Sequence, residues 1–296
     1  MFLIVGANGY LGRYIIKNLE VSTDEPIIAT TRNTIPPKSS SRTKWVLCDV
    51  TREDQVVALR NLTEKAKELK VIYLATYFNV NDDTNRALAW DVNIVSYARF
   101  LSIMNNMTSF YSFSTDMLFS ESREEPYTEV AEILPLNCYA VHKSIEERMA
   151  IACGWNVIRL PVLVGPSLVE SKKHFFDEII SNFKKGKPMK FFVDSWRSML
   201  DFDTASKLII NLINNKIARR HPIINVSGDM AISKYTFAVN LATAYNFPLD
   251  LVEPISMDED CQIWKKKRPK KILLDNSLVK KILNIRSVNM DLHHEN

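Results

Sequence analysis

Tyr139 and Lys143 stand four residues apart in the run YAVHKSIEERM, whose pattern continues as a helix, so a phenol and an ammonium lie one turn apart on one face. A free tyrosine, with a pKa near ~10, is a poor proton shuttle at neutral pH. A lysine beside it favours the phenolate and lowers that value. Upstream, Ser114-Thr115-Asp116 follows the apolar run at 110–113, three small polar residues suited to hydrogen bonding a ligand. Near the start, Gly6, Gly9 and Gly12 follow Phe2-Leu3-Ile4-Val5 at steps of three, and the whole chain has only 7 glycines. Glycines so placed let the backbone bend, let a pyrophosphate approach the first turn of a helix, and let that helix pack closely on the strand. Either motif alone is common by chance, as a plain strand-to-helix turn or a boundary tyrosine with a solvated lysine. Taken in this order they describe a carbonyl-reducing site. Tyr139 would give a proton to the carbonyl oxygen while a nicotinamide delivers hydride to its carbon. Thr115 would hydrogen-bond the developing alkoxide, and Lys143 would also hold the nicotinamide ribose.

The elements needed to converge these groups can be read from periodicity. Apolar runs at 2–5, 26–30, 45–48, 71–75, 110–113 and 156–160 predict six strands. Helical spacing predicts helices after the glycine turn, over 51–69, over 83–104 and from Tyr139 onward. In an open α/β sheet ligands gather at the carboxyl ends of strands. The dinucleotide is therefore expected to lie along Gly6, Asn8, Gly9, Tyr10, Leu11 and Gly12. Further along it would meet Thr31 and Arg32 after the second strand, Asp49 and Val50 after the third, and Ala75, Thr76 and Tyr77 after the fourth. An arginine at 32 in place of a carboxylate suits the 2′-phosphate of NADP, so NADP(H) is preferred over NAD(H); a solvated loop charge is the plain alternative. Asp49 is suited to accept from the adenine amino group. Asn93, a polar residue among the packing residues Trp90, Val92, Ile94 and Phe100, would hold backbone near the site. His142, inside the Tyr139–Lys143 turn, reads as incidental. In the second helix Val56, Leu59, Leu62, Ala66 and Leu69 would face the core behind a capping-box-like start at Thr51. Later, Tyr235, Val239, Ala242 and Phe247 would face inward from a helix opened by Ser233.

Length and composition set the limits. The chain has 296 residues, 46% hydrophobic and 24% charged, enough for a full core in one large or two modest domains. With 38 basic against 34 acidic residues the net charge is +4, too small to imply a nucleic-acid or anionic-membrane partner. Cys48, Cys138, Cys153 and Cys261 show no C-x-x-C spacing, and the histidines form no ligand pattern. Buried thiols, no metal and a reducing, cytoplasmic location are expected. No apolar run approaches a signal-peptide core or a membrane span. The basic run at 265–271 reads as a solvated cluster, with Arg268 holding a substrate diphosphate as the sharper alternative.

The chain resembles the extended short-chain dehydrogenase/reductases, and within them the dTDP-4-dehydrorhamnose reductase-like branch. Carrying the resemblance are GANGYLG at 6–12, FSTDMLF at 113–119, PYTEVAEILPLNCYAVHKSIEE at 126–147, IRLPVLVGP at 158–166, and RPKKILLD at 268–275. Arg197 with Asp203-Thr204-Ala205 and NVSGDMAISKYTFA at 225–238 extend it over nearly the whole chain. The resemblance implies an α/β fold, a Rossmann-type doubly wound parallel sheet with a smaller C-terminal substrate-binding region. The dinucleotide domain would take residues 1–165 and about 197–222, the substrate region about 166–196 and 223–296. It implies Thr115, Tyr139 and Lys143 as the catalytic trio, and Val80, Asp116 and Arg197 as contacts of the sugar or its nucleotide, beside Ser114 and Arg268, which are expected there from their own chemistry. The expected activity is NAD(P)H-dependent reduction of a 4-keto-6-deoxy nucleotide sugar for surface-polysaccharide synthesis, and a homodimer is compatible with it. Met117 and Leu160-Pro161-Val162 depart from the reductases' usual residues near the substrate pocket and leave the sugar open. Two rivals share the branch or its fold: a nucleotide-binding regulatory subunit resembling that of methionine adenosyltransferase, and a nucleotide-sugar epimerase.

Overall fold

All four residues of β1 (Phe2–Val5) are fully buried because both faces of the sheet they enter are covered by helices. The computed structural model describes residues 1–36, 40–78, 85–169, 172–259 and 269–292. In order, β1 is followed by α1 (Tyr10–Ser22), β2 (Ile27–Thr31), β3 (Thr43–Leu47), α2 (Glu53–Thr63), β4 (Lys70–Tyr73), α3 (Arg86–Trp90), α4 (Ser96–Ile103), β5 (Ser109–Thr115), α5 (Cys138–Ala152) and β6 (Asn156–Leu160). The second half adds β7 (Leu163–Val164), α6 (Phe175–Phe183), β8 (Met189–Phe192), β9 (Trp196–Arg197), β10 (Leu200–Asp201) and α7 (Phe202–Asn214). It ends with β11 (Ile223–Asn225), β12 (Ile232–Ser233), α8 (Lys234–Ala244), β13 (Val252–Ile255), β14 (Lys271–Ile272) and α9 (Ser277–Leu283).

Seven parallel strands form the central sheet in the order β11-β6-β5-β4-β1-β2-β3. The direction of winding reverses between β1 and β4, which opens a crevice at their carboxyl ends. The doubly wound Rossmann-type sheet expected from the sequence is thus present. Alternation within β1 sends Phe2 and Ile4 into one apolar layer with α1, α7 and α9, and Leu3 and Val5 into another with α2, α4 and α5. A third cluster, around Phe176, Phe183, Phe191, Phe237 and Leu241, unites α6, α8, β8 and β13 in the smaller region. The edge strand β11 pairs with β6, and Val279 and Ile282 of α9 pack in the first layer.

Several local expectations are corrected. The helix expected over 83–104 is described from Arg86 and is interrupted by a π turn, Asp91–Val95, between α3 and α4. Trp90 is 48% exposed rather than packed, its ring edge meeting His142 at 5.6 Å. β4 stops at Tyr73, and α2 stops at Thr63, so Ala66 and Leu69 lie beyond the helix and Leu62 faces outward. Arg52 precedes α2 without a side-chain cap, while the Thr51 hydroxyl donates to Asp49. The expected Ala242 of α8 is buried with Phe237, Ala238 and Leu241, and the expected Tyr235, Val239 and Phe247 pack against that cluster while half-buried.

Candidate functional site

The glycine turn is shaped by close approach. Gly6 has φ +78°, and a Cβ there would stand 2.7 Å from the Ala75 backbone nitrogen; a Cβ on Gly12 would stand 2.5 Å from the Ala7 carbonyl oxygen. Gly6→Ala is therefore expected to cost about 2–3 kcal/mol, from left-handed backbone strain plus displacement of the β4 exit, read as a lowered midpoint in denaturant. Thr30 Oγ1 accepts from Gly6 N at 3.0 Å, which ties the turn to β2. Gly9 precedes α1 without a side-chain cap, and no acidic residue occupies the first turn. The residues fit a dinucleotide there: close backbone, amides of the first helical turn, and no competing carboxylate.

Contacts lead from this turn toward Tyr139. Ala75 abuts Gly6, and Tyr77 is held at both ends by Asn93, whose Oδ1 accepts from Tyr77 N at 2.7 Å while Nδ2 donates to the Tyr77 carbonyl at 3.0 Å. Thr76 Oγ1 also donates to Asn93 Oδ1 at 3.2 Å. The next residue, Phe78, meets Tyr139 in a T-shaped ring pair, with centroids 4.8 Å apart and planes at 87°. Buried Asn93 does hold backbone at the end of β4, and the π turn is the local device that points it inward.

On α5, Asn137 caps the first turn by accepting from Ala140 N at 2.9 Å. Lys143 Nζ lies 5.9 Å from the Tyr139 ring centroid. Burial pushes the Tyr139 phenol up, Lys143 pulls it back, and Glu146 and Asp116 raise it further. Ser114 and Thr115 are the last two residues of β5, paired with Arg159 and Leu160 of β6, rather than loop residues beyond the strand. Thr115 Oγ1 accepts from Met117 N at 3.2 Å and donates to Asp116 Oδ1 at 3.4 Å. Asp116 Oδ2 lies 3.6 Å from Arg197 Nε, and burial, opposed by that arginine, raises the Asp116 carboxyl. Arg197 also donates to the carbonyls of Trp196 and Pro269, at 2.7 and 3.2 Å. Ser114 Oγ and Asp116 Oδ2 are buried without a hydrogen-bond partner among the described residues, acceptors suited to ligand hydroxyls.

The remaining expected residues divide. Asn8, Leu11, Asp49, Ala75 and Tyr77 are half-buried along the crevice side of the sheet, Val50 and Thr31 are buried, and Thr76 and Arg32 are exposed. Asp49 Oδ1 accepts from Thr51 N and Oγ1 at 3.0 and 2.8 Å, closing its own turn. Tyr10 turns toward the smaller region: its hydroxyl donates to the Lys173 carbonyl at 2.8 Å and its ring meets His174. Val80, Arg268 and Cys261 lie outside the described residues. Cys48 is buried as expected, whereas Cys138 and Cys153 are exposed. Among the described residues no group of three or more His, Cys, Asp or Glu is placed to hold a metal ion, and no helix is long and apolar enough to cross a membrane.

Sequence reading passed over two neighbours of the tyrosine. Glu146 Oε2 accepts from Lys143 Nζ at 2.8 Å, with side-chain exposures of 2% and 6%. Their spacing of three along the helix was the only signal in the sequence; that Glu146 and Glu147 are both buried comes from the fold. His142, read as incidental, is buried between Asn93 Nδ2 and Cys138 Sγ at 3.3 and 3.4 Å. Burial, with Lys143 nearby, pulls it below the ordinary histidine range, so the ring is neutral at neutral pH.

Comparison with known proteins agrees with this architecture. No curated protein sequence matches the chain. Among solved structures, a dTDP-4-dehydrorhamnose reductase from Bacillus anthracis in complex with NADP superposes with a TM-score of 0.77 at 19% identity, covering 98% of this chain and 94% of that one. A hypothetical dTDP-4-dehydrorhamnose reductase from Sulfolobus tokodaii gives 0.77 at 21% identity, covering 98% and 97%. A dTDP-glucose 4,6-dehydratase from Streptomyces venezuelae with NAD and TYD bound gives 0.76 at 15%, covering 97% and 91%. At these identities the likeness establishes the fold. The family model described as the RmlD substrate binding domain matches residues 1–293, from the glycine turn through α9, and the chain belongs to that family.

Proposed function

We propose that the protein reduces the keto group of a 4-keto-6-deoxy nucleotide sugar, using NADPH in preference to NADH. The observation that carries this reading is the line of contacts from Gly6 through Ala75, Tyr77 and Phe78 to Tyr139, which brings the dinucleotide turn and the acid–base pair to one edge of the sheet. The solved relatives named above, one holding NADP and one NAD with a nucleotide, support a nicotinamide cofactor and a nucleotide-linked sugar.

On this reading the labour divides among named side chains. A reduced nicotinamide, when bound, supplies hydride to the carbonyl carbon. Tyr139 gives its phenolic proton to the carbonyl oxygen. Lys143 stabilises the phenolate that remains and holds the ribose near it. Thr115 Oγ1 hydrogen-bonds the oxygen as negative charge develops, while Ser114 and Asp116 accept from sugar hydroxyls and Arg197 meets the nucleotide. Residues 1–165 with about 197–222 would bind the dinucleotide, and the smaller region would close over the sugar nucleotide. Synthesis of a surface-polysaccharide sugar, in a cytoplasmic setting and with no nucleic-acid or membrane partner, is the matching role; a homodimer is compatible with it.

The direct test is NADPH oxidation followed by absorbance with dTDP-4-keto-6-deoxy sugars as substrates. Turnover with stoichiometric alcohol formation supports the reading. Tightly retained NAD with no consumption of added NADPH would replace it with an epimerase. Arg32→Ala is expected to weaken NADPH binding about tenfold and leave NADH within about twofold, measured by fluorescence titration, because the 2′-phosphate alone distinguishes the two.

A further inference from the structure

Beside the acid–base pair sits a carboxyl group with no part in the reaction as described. Glu146 is buried to 2% on the inner face of α5, with Oε2 taking the Lys143 ammonium at 2.8 Å and Oε1 lacking any hydrogen-bond partner among the described residues. That ammonium is the group Tyr139 depends on. One cation cannot serve a carboxylate at hydrogen-bond distance and a phenolate equally.

We propose that Glu146 is a positioning residue that decides when Lys143 supports Tyr139: as a carboxylate it ties the ammonium to its own side, and as a carboxylic acid it releases that charge to the phenol. The inference rests on the acid–base role proposed for Tyr139 and adds its regulation by pH. The switch takes up one proton from solvent. No bond other than that O–H forms, and the Lys143–Glu146 pair goes from neutral to singly positive.

The surroundings allow Glu146 to titrate in a useful range. It faces Lys143, Tyr139 and Glu147 on its own helix, Tyr73 from β4 and Tyr97 from α4, with Asp116 beyond Tyr139 and Arg159 of β6 beyond Glu147. Arg159 is committed to both oxygens of Glu147, at 2.9 and 2.8 Å, which leaves Lys143 as the cation serving Glu146. Burial pushes the Glu146 carboxyl up and Lys143 pulls it back, placing it at about 7. Burial lowers the Lys143 ammonium, while Glu146, Tyr139 and Glu147 raise it, for a net upward shift. Below that point the protonated carboxyl leaves Lys143 to acidify Tyr139; above it the carboxylate both occupies Lys143 and raises the phenol. Reduction is therefore favoured on the acid side and declines as pH rises through 7.

Two measurements on the full-length protein test this. Wild-type kcat/KM for keto-sugar reduction is expected to fall about tenfold between pH 6 and pH 8.5, and that limb is expected to vanish in Glu146→Gln, with less than about twofold change over the range. Independently of any turnover, the tyrosinate absorbance assigned to Tyr139 by difference from Tyr139→Phe should appear at least about one pH unit lower in Glu146→Gln than in wild type. If the glutamine variant does not fold, Glu146→Met serves as a second uncharged replacement. An unchanged pH profile together with an unchanged tyrosinate onset overturns the proposal and leaves Glu146 a structural ion-pair partner. If no keto sugar is reduced but the onset moves, the functional reading fails while the Glu146–Lys143–Tyr139 coupling stands.

Discussion

Tyr139→Phe is expected to lower kcat by about 10³-fold while cofactor affinity stays within about twofold, because the substitution removes one oxygen and little else. General acid catalysis by a positioned side chain contributes about 10²–10⁴-fold. The T-shaped contact between the Phe78 and Tyr139 rings, centroids 4.8 Å apart, needs only an aromatic ring at 139, so the phenylalanine keeps its place. Asn137 still caps α5, and Lys143 keeps its bond to Glu146. Steady-state kinetics with a keto-sugar nucleotide, paired with NADPH binding by fluorescence, separates the two quantities. Full activity in the variant would show that some other group protonates the carbonyl.

The second large effect concerns stability. Arg159 of β6 and Glu147 of α5 form a bidentate pair, Nε to Oε1 at 2.9 Å and Nη2 to Oε2 at 2.8 Å, both side chains 3% exposed. Arg159 Nη1 also donates to the Glu129 carbonyl at 3.1 Å, and its guanidinium lies 5.6 Å from the Phe119 ring centroid. This clamp fixes the helix bearing Tyr139 and Lys143 against the strand beside Thr115. Glu147→Gln would leave a buried guanidinium without its counter-charge, at a cost of about 3–5 kcal/mol in denaturant unfolding. The paired replacement Arg159→Met with Glu147→Leu should recover most of the loss, since well-packed apolar side chains avoid the desolvation of both ions. If the double variant were as unstable as the single one, the loss would lie in packing rather than in an unpaired charge.

These expectations also show where the sequence was legible. Phe2-Leu3-Ile4-Val5 and the later apolar runs announced the central strands because burial on both faces leaves no polar alternation to obscure them. β6 appears with the boundaries read from its apolar run. The two-residue strands β7, β9, β10, β12 and β14 are too short to carry a period, and tertiary pairing alone defines them. The π turn was invisible for a related reason: one extra residue in a helical turn changes which side chain points inward without changing composition. Leu62 and Trp90 read as core by residue type, but an apolar side chain on a surface helix need not face the sheet. At the site, the spacing of Tyr139 and Lys143 could be read directly. The commitment of Lys143 to Glu146 depends on which face of α5 is buried, and β5 and β6 decide that from outside the helix.

The order in which the sheet is filled has a consequence during biosynthesis. β1 enters at Phe2, yet its neighbours in the same apolar layer include Ile224 of β11 and Val279 and Ile282 of α9. A ribosome adding about 5–20 residues per second needs on the order of 15–60 s to reach that last helix. Until then the nascent chain carries an open hydrophobic flank. Fragments ending after β6 should share that exposed flank and precipitate, and chaperone dependence should ease only once α9 has emerged.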